Sequence, residues 1–157
     1  MIVNRAELLG ARPIKDMIPY KEVSHGVSHG MTEAGYDLRV RQAVHLSSRH
    51  RFELASTIEE FDMPSDLVGV VHDKSTHARR AISVFNTVIE PGWRGFLTLE
   101  IAYFGDFDII IPAGSGIAQV LFHRVEVPAF YEGKYQNQPD MPVSAKLQIT
   151  AKGNDAA

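Results

Sequence analysis

The sequence predicts an all-β domain of the barrel, sandwich or jelly-roll kind, opened by one short helix. Two observations carry this. Turn-forming residues recur at short intervals, at Gly26, Gly30, Gly35, Pro64, Gly69, Pro91-Gly92, Gly95, Gly105, Pro112, Gly114, Gly116, Pro128 and Gly133. Between them lie short β-type runs, not the longer helical patterns that alternate with strands in a parallel sheet. At 157 residues the chain has the length of one globular domain, so residues 1–157 read as a single unit.

The helix is expected first, after Asn4, with Glu7 three residues on as a capping box and Ala6, Leu8 and Leu9 as an apolar face. Gly10 is expected to end it. Strands are then predicted over Asp66–His72, Ala81–Phe85, Phe96–Phe104, Asp108–Ile111 and Ile117–Val125. From Pro139 to Ala157 the sequence turns polar and reads as a flexible C-terminal tail, in which Leu147-Gln148-Ile149 could pair as a late strand.

Composition narrows the chemistry. With no Cys, the chain has no disulfide, no thiolate nucleophile and none of the His/Cys zinc sites of the familiar base deaminases. The seven His show no HExxH or related spacing, so no protein-held metal is expected. A net charge of −3, from 16 basic and 19 acidic residues, provides no general field toward a nucleic acid polymer. No apolar run approaches the roughly 18 residues of a membrane span, and the N-terminus lacks a secretory pattern. A soluble, cytoplasmic protein without a membrane partner is the expectation.

Four segments could carry chemistry. Asp73–Arg80 (DKSTHARR) places Lys74, Ser75, Thr76, Arg79 and Arg80 directly after an apolar strand, all donors that a phosphate or carbonyl oxygen accepts from; chemistry alone leaves it between such a site and an ordinary polar loop. Glu100 interrupts an apolar strand. Counted in twos it shares a face with Phe96, Thr98 and Ala102, opposite a core face of Leu97, Leu99, Ile101 and Tyr103, so its face is either solvent or a lined pocket. In Val88–Gly95 (VIEPGWRG) the Pro91-Gly92 turn could present Glu90, with Trp93 read as a packing anchor. Phe130–Gln138 (FYEGKYQNQ) is a donor-rich segment suited to closing over an anion.

Taken together, HGVSHGMTEAGYDLRV (25–40), MPSDLVGVVHDKSTHAR (63–79), VIEPGWRGFLTLE (88–100), PAGSGIAQVLFHRVE (112–126) and YEGKYQNQ (131–138) resemble the trimeric dCTP deaminases, relatives of the trimeric dUTPases. The deaminase branch is marked by Ser75, Arg79 four residues later and Glu100 in a TLE strand, and IEPGW resembles the deaminase IDPGW. Typical dUTPases instead carry a catalytic Asp in a GVID-like turn. The resemblance implies a distorted jelly-roll or β-clip barrel of the dUTPase-like type, assembled as a homotrimer with active sites shared between subunits. It implies hydrolytic deamination of dCTP to dUTP and ammonia without a protein-bound metal. Glu100 would shuttle protons, Ser75 would orient water or pyrimidine, and Arg79 would stabilise charge, the latter two coming from a neighbouring subunit.

Substrate contacts follow from the same resemblance. Lys74 and Thr76 would face phosphate and base, Glu90 the 3′-hydroxyl, and Thr98, Leu99 and Glu100 the pyrimidine. Gln119, Tyr131, Lys134 and Gln138 would hold the triphosphate, with Mg²⁺ riding on the nucleotide. Where the family has GRSS this chain has DKST, exchanging a forked guanidinium for the point charge of Lys74. Asn86-Thr87 replaces a small pair that shapes the pocket. A dUTP diphosphatase, a bifunctional enzyme forming dUMP and a non-catalytic nucleotide-binding regulator are the alternative readings.

Overall fold

The computed structural model describes residues 1–147. The elements run β1 (Ile2–Val3), α1 (Arg5–Ala11), β2 (Lys21–Ser24), β3 (Val27–Met31), β4 (Tyr36–Arg39), β5 (Val44–Leu46), β6 (Phe52–Asp62), β7 (Leu67–Asp73), α2 (Ser75–Ala78), β8 (Ile82–Val84), β9 (Val88–Ile89), β10 (Arg94–Tyr103), β11 (Ile109–Ile111) and β12 (Gly116–Arg124). Each of the five predicted strands is present, shifted by a residue or two at its ends.

Three antiparallel sheets result. The largest is ordered β2-β3-β4-β12-β7-β9, with β1 added along β12. A second is ordered β6-β10-β8, and β11 pairs with β5. None closes into a complete barrel, in keeping with a distorted jelly roll. The core lies between the sheets, filled by Tyr36, Leu38, Phe61, Leu67, Leu99, Ile101, Val120 and Phe122. Alternation along β7 and β12 sends every second side chain inward. These two strands run antiparallel in continuous register from Ala118↔Asp73 to Arg124↔Leu67, which puts the end of β7, and so Lys74 and Ser75, beside the start of β12.

Three local expectations are corrected. Asn4 precedes α1 in an extended conformation but makes no side-chain cap; its amide donates to Glu33 O at 2.7 Å instead. Gly10 does not end the helix, which continues to Ala11 and closes on Arg12 in the left-handed conformation, with the Arg12 N–H bonded to Leu8 O. Leu8 explains the persistence: it is fully buried, and docking of one apolar face holds the last turn together. The third is α2, a single helical turn too short for a periodic pattern to reveal.

Among the described residues no helix is long and apolar enough to cross a membrane, and no group of three or more His, Asp or Glu is arranged to hold a metal ion. Residues 148–157, including Gln148 and Ile149 of the expected late strand, lie outside the described residues.

Candidate active site

Strand β10 builds the floor of the site. It pairs along β6, with a register shift between Phe96 and Thr98, and along β8 through Ile101↔Val84 to Tyr103↔Ile82. Leu97 joins Leu99, Ile101 and Tyr103 in the core, as the two-residue count predicts, and also borders the cavity that Thr98 and Glu100 line.

The cavity measures about 400 Å³ and is lined by Thr98 and Glu100 from β10, Phe52 and Leu54 from β6, Thr87 to Glu90 around β9, Trp93, and Tyr131, Tyr135, Gln138, Val143 and Ala145 from the C-terminal segment. Among the described residues its charged side chains are Glu90 and Glu100. Oε2 of Glu100 is buried and has no hydrogen-bond partner among the described residues. Burial pushes the Glu100 carboxyl above its ordinary range, against a smaller opposite pull from its own main-chain N–H. A carboxyl group on an apolar wall, with an oxygen free of other partners and its pKa raised by burial, can take up and return protons.

The roof is the segment after Phe130, and its docking has a clear local cause. The Pro91-Gly92 turn, with Gly92 at φ 73, aims Pro91 O at the Tyr131 N–H (2.8 Å). Trp93 Nε1 donates to Tyr135 O at 2.7 Å, and its ring packs 5.9 Å from Phe61, which makes Trp93 the packing anchor the sequence suggests. At Gly95, with φ 124, a Cβ would lie 2.5 Å from the Gln138 main-chain N. Only glycine fits, because the two backbones meet there in a parallel bridge. That approach seats Gln138, whose side-chain oxygen accepts from Thr98 Oγ1 at 3.0 Å; the same hydroxyl accepts from the Val143 N–H at 2.9 Å. Lys146 N–H bonds to the Tyr135 hydroxyl (2.8 Å), so the segment follows the cavity rim beyond Pro139.

A second polar region lies elsewhere. A hollow of about 300 Å³ is lined by Lys74, Ser75 and Gln119 together with Ser28, Thr32, Asp37 and Glu33. Lys74 is largely buried and forms an ion pair with Asp37, and its ammonium also donates to Ser28 Oγ at 3.0 Å. Gln119 donates to Thr32 Oγ1 (3.2 Å). Ser75, Thr76 and Arg79 are exposed, and the Arg79 guanidinium donates to Ser75 O within its own turn (3.3 Å).

The residues singled out from sequence thus divide. Glu90, Thr98, Glu100, Tyr131 and Gln138 come together around one cavity. Lys74, Ser75 and Gln119 line the other hollow, beside exposed Thr76 and Arg79, and none of these five lines the Glu100 cavity within the chain. The Leu99 side chain belongs to the core, and Lys134 is exposed, with its ammonium 5.2 Å from the Tyr135 ring centroid. Sequence reasoning missed Asp37, Tyr135 and Val143. A lone acid between Tyr36 and Leu38 in a strand could have flagged Asp37; nothing local marks Val143, which matters only because the roof folds back.

Residues 48–125 match the family described as dCTP deaminase-like. The dCTP deaminase of Acidobacterium capsulatum is 32% identical over 88% of this chain and 96% of its own length. Among solved structures, the 2′-deoxycytidine 5′-triphosphate deaminase from Agrobacterium tumefaciens aligns with a TM-score of 0.60 and 18% identity over 79% of this chain; the chain spans about half of that one, 48%. A dUTPase from phage phi11 of S. aureus, solved to detail the coordination of a structural Mg(II) ion, aligns with a TM-score of 0.56 and 16% identity, covering 78% of this chain and 94% of that one. The dUTPase-like fold is therefore shared across both branches, and by sequence this chain belongs to the dCTP deaminase family.

Proposed function

We propose that the protein hydrolyses the exocyclic amine of dCTP, giving dUTP and ammonia, with Glu100 as the proton carrier and with each active site completed by a neighbouring copy of the same single-domain chain in a homotrimer. The observation that carries this is the partnerless, buried oxygen of Glu100 on the wall of a cavity large enough for a nucleoside. Ionised Glu100 takes a proton from water as the oxygen bonds to C4 and the ring electrons move onto N3. Glu100 returns that proton to N3. A second proton, passed from the new hydroxyl to the amine, lets the C4–N bond break and ammonia leave. Raising the carboxyl above its ordinary range suits one group to both directions of transfer.

The remaining roles follow from chemical type. Ser75 orients the water or the ring, and Arg79 supports the charge that grows during attack; both reach the cavity from the adjoining subunit. Thr98 and the strand at Leu99 border the pyrimidine, and Glu90 borders the 3′-hydroxyl. The triphosphate enters as its Mg²⁺ complex and is held by Gln119, Tyr131, Lys134 and Gln138 with Thr76. Lys74 is committed to Asp37 and Ser28, so Arg79 and Lys134 are assigned the larger share of the cationic attraction. Incubation with dCTP, dCMP, CTP and dUTP followed by chromatography of the products tests the reading. dUTP and ammonia from dCTP are expected. dUMP with pyrophosphate would replace it with a diphosphatase or bifunctional enzyme, and tight dCTP binding without turnover would replace it with a regulator.

A further inference from the structure

Helix α2 is one turn long, and so short a helix has no stability of its own. Two side chains fasten it. Lys74, at its N-terminal boundary, reaches Asp37 on β4 and Ser28 on β3. His77, only 2% exposed, places Nε2 2.8 Å from Gly116 O at the start of β12. A carbonyl oxygen can only accept, so Nε2 carries the proton and Nδ1 is bare. Nδ1 is also buried and has no partner among the described residues, an arrangement that costs stability. The donor is kept despite that cost. Gly116 lies where the pairing of β12 with β4 shifts register, so the latch joins α2 to an irregular point of the sheet. Burial, with Lys74 and Arg80 nearby, holds the ring below its ordinary pKa against the opposing bond to Gly116, which keeps it neutral.

We propose that His77 is a positioning residue, whose Nε2–H bond to Gly116 O fixes the α2 turn and thereby sets Ser75 and Arg79, each two residues away, in the orientation that the reaction uses. This rests on the role given to Ser75 and Arg79 above. The two exposed side chains stand on a turn that is already pinned within one chain, so the half-site is formed before any neighbour arrives.

Two variants and one measurement on the wild type test it. His77→Leu retains the buried volume and removes the donor; His77→Gln retains a side-chain N–H. Hydrogen exchange of the 74–80 amides should accelerate in His77→Leu and return toward wild type in His77→Gln. With dCTP, kcat should fall about tenfold or more in His77→Leu while KM moves less than about threefold, and His77→Gln should recover most of kcat. Nitrogen NMR of the wild-type ring should report the neutral Nε2–H tautomer between about pH 6 and about pH 8. The latch is overturned if His77→Leu exchanges like wild type, if His77→Gln is as impaired as His77→Leu, or if the ring is protonated or in the Nδ1–H form. Exchange and NMR need no activity, so an inactive wild type would fail the dCTP deaminase reading while these readouts judge the latch alone.

Discussion

The Glu100 cavity and the α2 turn are built on opposite plans. The cavity is concave and mostly apolar, its charged lining is acidic, and Oε2 of Glu100 is buried without a partner among the described residues. The turn is open, its outward groups Ser75 and Arg79 are exposed, and its buried polar groups are all but one satisfied, by Asp37, Ser28 and Gly116. Among the described residues, one region has a buried carboxyl and no cation in its lining; the other has cations beside a small polar hollow. Neither region holds by itself all the groups the proposed reaction calls on, and that difference is the ground for proposing a site shared between copies of the chain.

The largest effect should come from the cavity. Glu100→Gln keeps the shape and removes the proton carrier, so kcat for dCTP should fall by about 10²–10⁴ with nucleotide binding retained, measured by ammonia release and calorimetry. Activity near wild type would remove Glu100 from the chemistry. On the turn, Arg79→Ala should lower kcat by about 10²–10³ as support for developing charge is lost. Mixing Arg79→Ala with Glu100→Gln chains after dissociation should restore up to about a quarter of wild-type activity, the share of sites with both groups intact in random trimers. No recovery in verified mixed trimers would place the site within one chain.

A stability experiment sharpens the contrast between satisfied and unsatisfied burial. Asp37→Ala leaves the Lys74 ammonium buried without its carboxylate and should cost about 3–5 kcal/mol in denaturant unfolding, whereas Asp37→Ala with Lys74→Met should recover most of it. For Glu100 the sign reverses. Its carboxyl is raised above the ordinary 4.5 in the folded state, so the folded protein holds that proton more tightly than the unfolded chain. The associated stability is present below the ordinary value and is lost as pH rises through the folded one. Glu100→Gln should therefore be more stable than wild type at neutral pH, with the gap closing in acid; a melting-temperature difference independent of pH would contradict the desolvation. Gly95→Ala sets a Cβ against the Gln138 backbone at a positive φ and should lower stability while displacing Gln138 from the strand edge, raising KM more than it lowers kcat.

Much of this was legible along the chain. The five strands were marked by apolar runs between turn residues, and the pairing of Glu100 with Thr98 on one face came from counting in twos. The same count put Leu97, Leu99, Ile101 and Tyr103 in the core, where they are found, but the register shift between Phe96 and Thr98 depends on what β6 does opposite. Strand β6, the longest at 11 residues, was not singled out, since Leu54, Ala55 and three glutamates dilute its β-type composition. The capping box at Asn4 failed because Glu33, 29 residues away in sequence, offered its carbonyl instead.

The sequence by itself determined the residue types at the site, the turns that aim them and the family to which the chain belongs. Those depend on local chemistry and spacing. Only the tertiary structure decided that Glu100 Oε2 is buried, that Lys74 pairs with Asp37, and that the stretch from Tyr131 to Lys146 roofs the cavity. Each of these depends on groups brought together from far along the chain, as with Lys74 and Asp37 at a separation of 37 residues or Thr98 and Val143 at 45. Burial and pairing set the ionisation and availability of a side chain, and both are properties of its neighbours in space.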